Sequence, residues 1–365
     1  MTVNMNATMT NTKSPQTRIQ GLDLIRIFAT FAVVLIHCLF QLLFLEDVET
    51  VYSMTTPFKL FYFSCVTIGA LGVPLFLMLS GYLLIPRDYD WTKTKKFYKR
   101  NFLTILLVWE LWIPINTLTA WNYHGMEFHK TDFLNMALFL QMQPIAHFWY
   151  LPVILGIYVF IPTLSRAFKA LSDKEFLIPL ILIFVYIFVF PSLAYIKGIK
   201  YDIRLDLGFA GGFFGTHVVL GYAFHRFERQ LKSYFSKGQL IALIVILIAV
   251  MTGVQIWLPV KNGSIYHLWY DFFLIPPTTM AIFLLLKDIK FTRLSKLVEN
   301  ISTCSFGIYL IHMAVILFLE RNGYIDFANG MAAKVIALTA MVPILSFLSV
   351  FFLRKVPYLG KLLFR

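Results

Sequence analysis

The chain has 365 residues, 59% hydrophobic and 14% charged, with a formal net charge of +13 and a mean hydropathy of +0.73. A soluble domain is about a quarter charged, so this composition cannot cover a water-facing surface. A soluble multidomain enzyme, a nucleic-acid-binding protein and a disordered chain are excluded, and the unbroken apolar runs of about 17–25 residues predict an all-α polytopic membrane bundle rather than an alternating outer-membrane barrel.

Residues 1–17 are polar and rich in Thr and Asn, and read as a disordered tail. The first apolar run, Leu22 to Leu45, is too long for the hydrophobic region of a cleavable signal and reads as a retained first span. Nine more segments follow, at 59–85, 102–120, 148–165, 176–196, 207–225, 239–258, 270–286, 300–320 and 333–353, giving about ten transmembrane helices. The segment 148–165 carries Pro152 and Pro162, and 207–225 carries Gly208, Gly211, Gly212 and Gly215; membrane helices tolerate both when neighbours satisfy the freed backbone groups. Residues 131–143 form a short apolar stretch, expected to be an interfacial or re-entrant helix. One membrane domain is expected over 18–356, with 357–365 as a tail and no second soluble domain. Cys38, Cys65 and Cys304 all lie in apolar runs without disulfide or zinc spacing, so they read as small buried hydrophobes and no metal site is expected.

With the N-terminus placed inside, the inner loops and tails hold 23 Lys and Arg residues and the outer loops six. Under the positive-inside rule this asymmetry predicts a multi-pass plasma (inner) membrane protein with both termini cytoplasmic.

Polar groups inside the spans cost free energy unless they pair or line a hydrated cavity, which makes them functional candidates. The first span carries Asp23, Arg26 and His37. Asp23 and Arg26 are three apart and can pair on one face. His37 follows Arg26 by eleven residues, on the same face and roughly 16 Å along the axis. The structural alternatives are an interfacial ion pair for the first two and an interhelical hydrogen bond for His37. The second segment ends in Ser80, Gly81 and Tyr82, a small-residue pair suited to close helix approach plus a hydroxyl. Glu110 and Asn116 interrupt the third span, and His147 precedes Trp149 and Tyr150 at the start of the fourth. An interfacial aromatic belt explains the last two but not His147. In the ninth, Ser305, Tyr309 and His312 share a face. Counting residues puts His312 about 18 Å and His37 about 22 Å from the inner ends of their helices, depths at which they can share a cavity.

Read from these residues alone, two classes stay open: an enzyme using an imidazole, and a proton-coupled secondary transporter or lipid-linked glycan flippase. Four elements in order discriminate. They are Arg26 and His37 with ten residues between them, preceded by a Leu-Asp pair; Pro74 to Leu83, reading PLFLMLSGYL; His147-Phe-Trp149 through Tyr158 to Pro162; and Ser305-Phe-Gly307-Ile-Tyr309-Leu-Ile-His312. Together they resemble the type-three integral-membrane acyltransferase family, especially its surface-polysaccharide O-acetyltransferase branch, over about residues 18–320. The resemblance implies transfer of an acyl group, usually acetyl, from cytoplasmic acyl-CoA to a hydroxyl of a cell-envelope glycan or lipid-linked saccharide. It also implies His37 as the catalytic residue and Arg26 as a residue handling the donor. Arg18, Arg87, Arg100 and Arg166 are further candidates for the CoA phosphates, Arg being suited to bidentate contacts, and Ser80 and Tyr82 join them as donor-site candidates. Asp23 is expected to orient Arg26, and Tyr309 or His312 to position His37 or the tetrahedral oxyanion. Membrane lipids are the remaining expected partner.

Overall fold

The computed structural model describes residues 18–199, 212–263 and 265–357, together with 360, 363 and 364. Both expected tails therefore fall outside it, wholly for 1–17 and largely for 357–365. So do residues 207–211 of the sixth segment and five of the basic residues counted above, Lys13, Lys200, Arg204, Lys361 and Arg365.

The described residues form ten long helices and no strand. They are α1 (Gln20–Leu42), α2 (Thr56–Leu84), α3 (Trp91–His124), α4 (Ala146–Ala170), α5 (Asp173–Lys197), α6 (Gly212–Tyr234), α7 (Lys237–Asn262), α8 (Ile275–Leu286), α9 (Ser295–Arg321) and α10 (Met331–Leu353). Ends and breaks follow local chemistry. Pro74 has no N–H for the Ala70 carbonyl, and α2 is interrupted at Leu71. α5 and α7 begin with capping boxes, Ser172 with Glu175 and Ser236 with Gln239. α3, α5 and α7 stop at Gly125, Gly198 and Gly263 in the left-handed conformation. The 131–143 stretch contains a short helix, Lys130–Ala137, which its own capping box starts.

Eight of the ten are long and apolar enough to cross a membrane; α6 and α8 are not. α6 has the length, but its second half carries Arg226, Glu228, Arg229 and Lys232. α8 is shorter than the segment expected from 270: residues 270–274 are turns, and Pro276 and Pro277 start a helix of only 12 residues. Both still keep the alternation of direction. At one end of the bundle Ser165 of α4 donates to the Arg87 carbonyl at 2.7 Å, Arg226 of α6 meets Asp173 of α5 at 2.7 Å, and Lys232 meets Asp288 after α8 at 2.5 Å. At the other end Tyr52 donates to the Pro259 carbonyl and Lys261 to the Ile196 carbonyl. Ten alternating helices bring both ends of the described chain to one face, where Arg18 and Arg354 both reach Thr303.

α1 stands at the centre, packed on α2, α8, α9 and α10. The most apolar stretches of α1 and α2 are 67% and 72% buried inside the protein, against 28% for α5 and 22% for α7. The outer helices turn Ile181, Leu182, Val245, Ile246, Ile336 and Ile344 outward, a surface that fits lipid. The three cysteines are free and buried.

Candidate active site

α1 and α9 run parallel in contact, so polar residues at matching depths meet. Nearest their N-terminal ends, Asp23 is almost fully buried between two guanidinium groups. Arg18 grips it through Nε at 2.6 Å and Nη2 at 3.0 Å, and Arg26 Nη1 reaches it at 3.1 Å. Ser302 closes the set, donating to Asp23 at 2.6 Å and accepting from Arg26 at 2.9 Å. Arg18 also meets Glu299 at 3.2 Å, and its proton is held more firmly than in a free Arg because of the hydrogen bond to Asp23. Only one nitrogen of Arg26 has partners among the described residues, so two remain for a ligand.

Arg26 opens onto a cavity of about 250 Å³ between α1, α2, α3, α4 and α9. Its walls are apolar apart from Arg26, Arg87, Ser80, Ser305 and three tyrosines, Tyr150, Tyr158 and Tyr309. Arg87 donates through Nε to the Leu83 carbonyl at 2.7 Å, leaving its terminal nitrogens without protein partners among the described residues.

Tyr309 links the cavity to a cluster of three imidazoles. His37, His147 and His312 have ring centroids 4.6 Å to 6.0 Å apart. A carbonyl only accepts, so the ring nitrogen facing one carries the proton. His312 Nδ1 faces the Tyr309 carbonyl at 2.6 Å and therefore donates. Its Nε2 is then a lone pair, 3.1 Å from His37 Nδ1. His37 Nδ1 in turn faces the Val33 carbonyl at 2.8 Å, so its proton is shared between Val33 and His312. Two backbone carbonyls thus fix both tautomers and leave His37 Nε2 as a free base. His37 is also the only one of the three with appreciable surface; His147 and His312 are 2% and 0% exposed.

His147 sits on the tight turn Ala146–Trp149 that starts α4, where the Tyr309 hydroxyl donates to its carbonyl at 2.5 Å. That bond commits the Tyr309 proton to the backbone, so Tyr309 orients His147 and cannot give that proton to an oxyanion in this arrangement. Neither ring nitrogen of His147 has a hydrogen-bond partner among the described residues.

The remaining candidates divide. Ser80 and Arg87 line the cavity beside Arg26. Tyr82 does not: its hydroxyl donates to Glu228 of α6 at 3.3 Å, in a cluster with Lys287 and Lys232. Arg166 is held by the Tyr89 carbonyl at 2.8 Å and lines a second cavity with Asp88, Lys93 and Lys169. There the Asp88 carboxyl lies below its ordinary range because Lys169 donates to it. Arg100 lies on the wide turn Tyr98–Phe102 in α3 and lines neither cavity. Asn116 donates to Gln143 at 2.6 Å, and Gln143 to the Trp109 carbonyl at 2.8 Å; they anchor the segment after the short helix to α3.

No curated protein and no solved structure matches the chain. A family model described as an acyltransferase domain matches residues 19–353, which takes in all ten helices, Asp23, Arg26 and the three clustered histidines. Of the two classes that the sequence left open, this selects the enzyme: the chain belongs to the type-three membrane acyltransferase family.

Proposed function

We propose that the protein transfers an acyl group, acetyl in the simplest case, from acyl-CoA to a hydroxyl of a cell-envelope glycan or of its lipid-linked precursor, in the plasma membrane and with the donor on the cytoplasmic side. One observation carries the reading: carbonyl-fixed tautomers leave a free imidazole lone pair on His37, roughly 16 Å along α1 from a guanidinium group that opens onto a cavity. CoA combines phosphates with a long flexible arm. The free nitrogens of Arg26 and Arg87 suit anionic or polar donor groups, and the narrow, largely apolar cavity suits the arm and its thioester.

In this reading His37 Nε2 takes the proton of the acceptor hydroxyl as its oxygen attacks the thioester carbonyl. The tetrahedral intermediate collapses with breakage of the C–S bond, and the departing thiolate takes the proton from the imidazolium. His312 accepts from His37 Nδ1 and stabilises the imidazolium while it exists. The other route, in which His37 Nε2 itself becomes acylated and is then attacked by the hydroxyl, uses the same free nitrogen.

The test is radiolabelled acetyl-CoA with purified protein and envelope glycan. Substituting His37→Ala is expected to leave CoA affinity near the wild-type value and to lower transfer by at least about 10²-fold. Label retained on wild-type protein without acceptor, and lost in His37→Ala, selects the acyl-histidine route; no retained label selects direct transfer. A folded His37→Ala protein that acetylates at the wild-type rate removes His37 from the chemistry.

A further inference from the structure

One helical turn beyond His37, on the same face of α1, stands Gln41; two turns beyond His312 on α9 stands Glu320. Gln41 Nε2 donates to Glu320 Oε2 at 2.8 Å, and both side chains are half-buried. Among the described residues no Lys, Arg or His pairs with Glu320; its neighbour Arg321 turns away to the Asn122 carbonyl. A carboxylate in this position, matched only to a neutral amide, keeps most of its acceptor capacity, because two oxygens offer about four lone-pair directions. Gln41 keeps its amide oxygen and a second N–H. The pair therefore presents several acceptors and one donor one helical turn along α1 from His37, on the side away from Arg26.

We infer that Gln41 and Glu320 form the binding site for the acceptor: they hold the hydroxyl groups neighbouring the one that His37 deprotonates. A polyol suits them because each hydroxyl is both donor and acceptor. A carboxylate accepts the hydroxyl's O–H hydrogen bond and an amide N–H donates the return bond, in the charge-assisted geometry that gives the strongest of these contacts. The placement also sets the direction of approach. The donor enters from the Arg26 end and the acceptor from the opposite end, so the reacting atoms meet at the imidazoles from two sides. This inference rests on the acyl-transfer reading above and names the residues that choose its acceptor.

The test compares wild type with the near-isosteric Glu320→Gln and with Gln41→Leu. Two readouts are taken: alkali-released acetate from the envelope glycan of cells making each protein, and the affinity of the purified proteins for acetyl-CoA by isothermal titration. Loss of a hydrogen bond to a charged group predicts a fall of about tenfold or more in glycan-bound acetate, with acetyl-CoA affinity within about twofold of wild type. Wild-type acetate in both variants overturns the inference. Equal loss of both readouts overturns it too, because the pair then supports the fold or the donor side. Failure of the parent reading shows in the wild type alone, as a glycan without acetate or a protein that does not bind acetyl-CoA.

Discussion

Arg26 touches both the buried Asp23–Ser302 pair and the cavity, so its removal separates binding from scaffolding. If the two free nitrogens hold part of the donor, Arg26→Ala should weaken acyl-CoA binding by about 10- to 100-fold, the value of one or two charged hydrogen bonds. Added salt should weaken wild-type binding as well, since the Arg18 and Arg87 end is open to solvent. Isothermal titration of the monodisperse variant decides: unchanged affinity would leave Arg26 as a counter-ion for Asp23 and nothing more. His312 carries a different prediction. Its Nε2 accepts from His37 and its Nδ1 is tied to a carbonyl, so it acts through His37 rather than on substrate. His312→Ala should therefore cost less rate than His37→Ala and should shift the pH profile. In the wild type, rate should rise with pH through the His37 titration, because only neutral imidazole accepts a proton. In His312→Ala that rise should move, since the imidazolium loses its acceptor. A lowered rate with an unmoved profile would make His312 a packing residue.

At the scale of helices, α2 and α6 touch backbone to backbone. A Cβ added at Gly81 would lie 1.8 Å from the Val218 carbonyl oxygen, and one at Gly221 would lie 2.0 Å from the Met78 carbonyl oxygen. Neither obstacle is a flexible side chain, so α6 would have to move away from the helix that carries Ser80. Gly81→Ala or Gly221→Ala should cost about 1–3 kcal/mol or more, seen as a lower melting temperature in detergent and a smaller monodisperse peak. Wild-type stability in both would show that α2 and α6 do not cross in backbone contact. Half of this contact was legible beforehand: the Ser80–Gly81 pair marks a close approach, but its partner lies 140 residues on, and no local pattern pairs helices so far apart. The active site divides the same way. His37 and His312 were readable as a pair because parallel helices convert residue counts into depth. The destination of the Tyr309 hydroxyl was not, because the turn at His147 is set by tertiary contacts. Gln41 and Glu320 were passed over because polar residues at the ends of apolar runs look like ordinary interface. The length of α8 was overestimated for a similar reason: residues 270–274 are apolar enough to join the run, yet Pro276 and Pro277 place the helix start after them.

Taken whole, the bundle fixes relative direction, and charge then chooses between the two orientations in the membrane. Arg18 and Arg354 meet at Thr303, so both ends of the described chain share one face whichever way the protein inserts. The same face holds Lys93, Arg166, Lys169 and Lys232, whereas the loop after α3 holds Glu127 and Lys130 at the opposite end. Basic loops are retained on the cytoplasmic side, so the Arg26 face should be cytoplasmic, where acyl-CoA is made available. A membrane-impermeant maleimide tests this on intact cells, and the native cysteines add no background because all three are buried. Glu127→Cys should label before lysis. Lys174→Cys, exposed in the first turn of α5, should label only after it, and a reporter fused at the C-terminus should be active in the cytoplasm. The reverse pattern would put the Arg26 cavity outside and remove acyl-CoA as its donor. Labelling of both cysteines in intact cells would break the alternation at α4, since these positions lie at opposite ends of the bundle only if α4 crosses it.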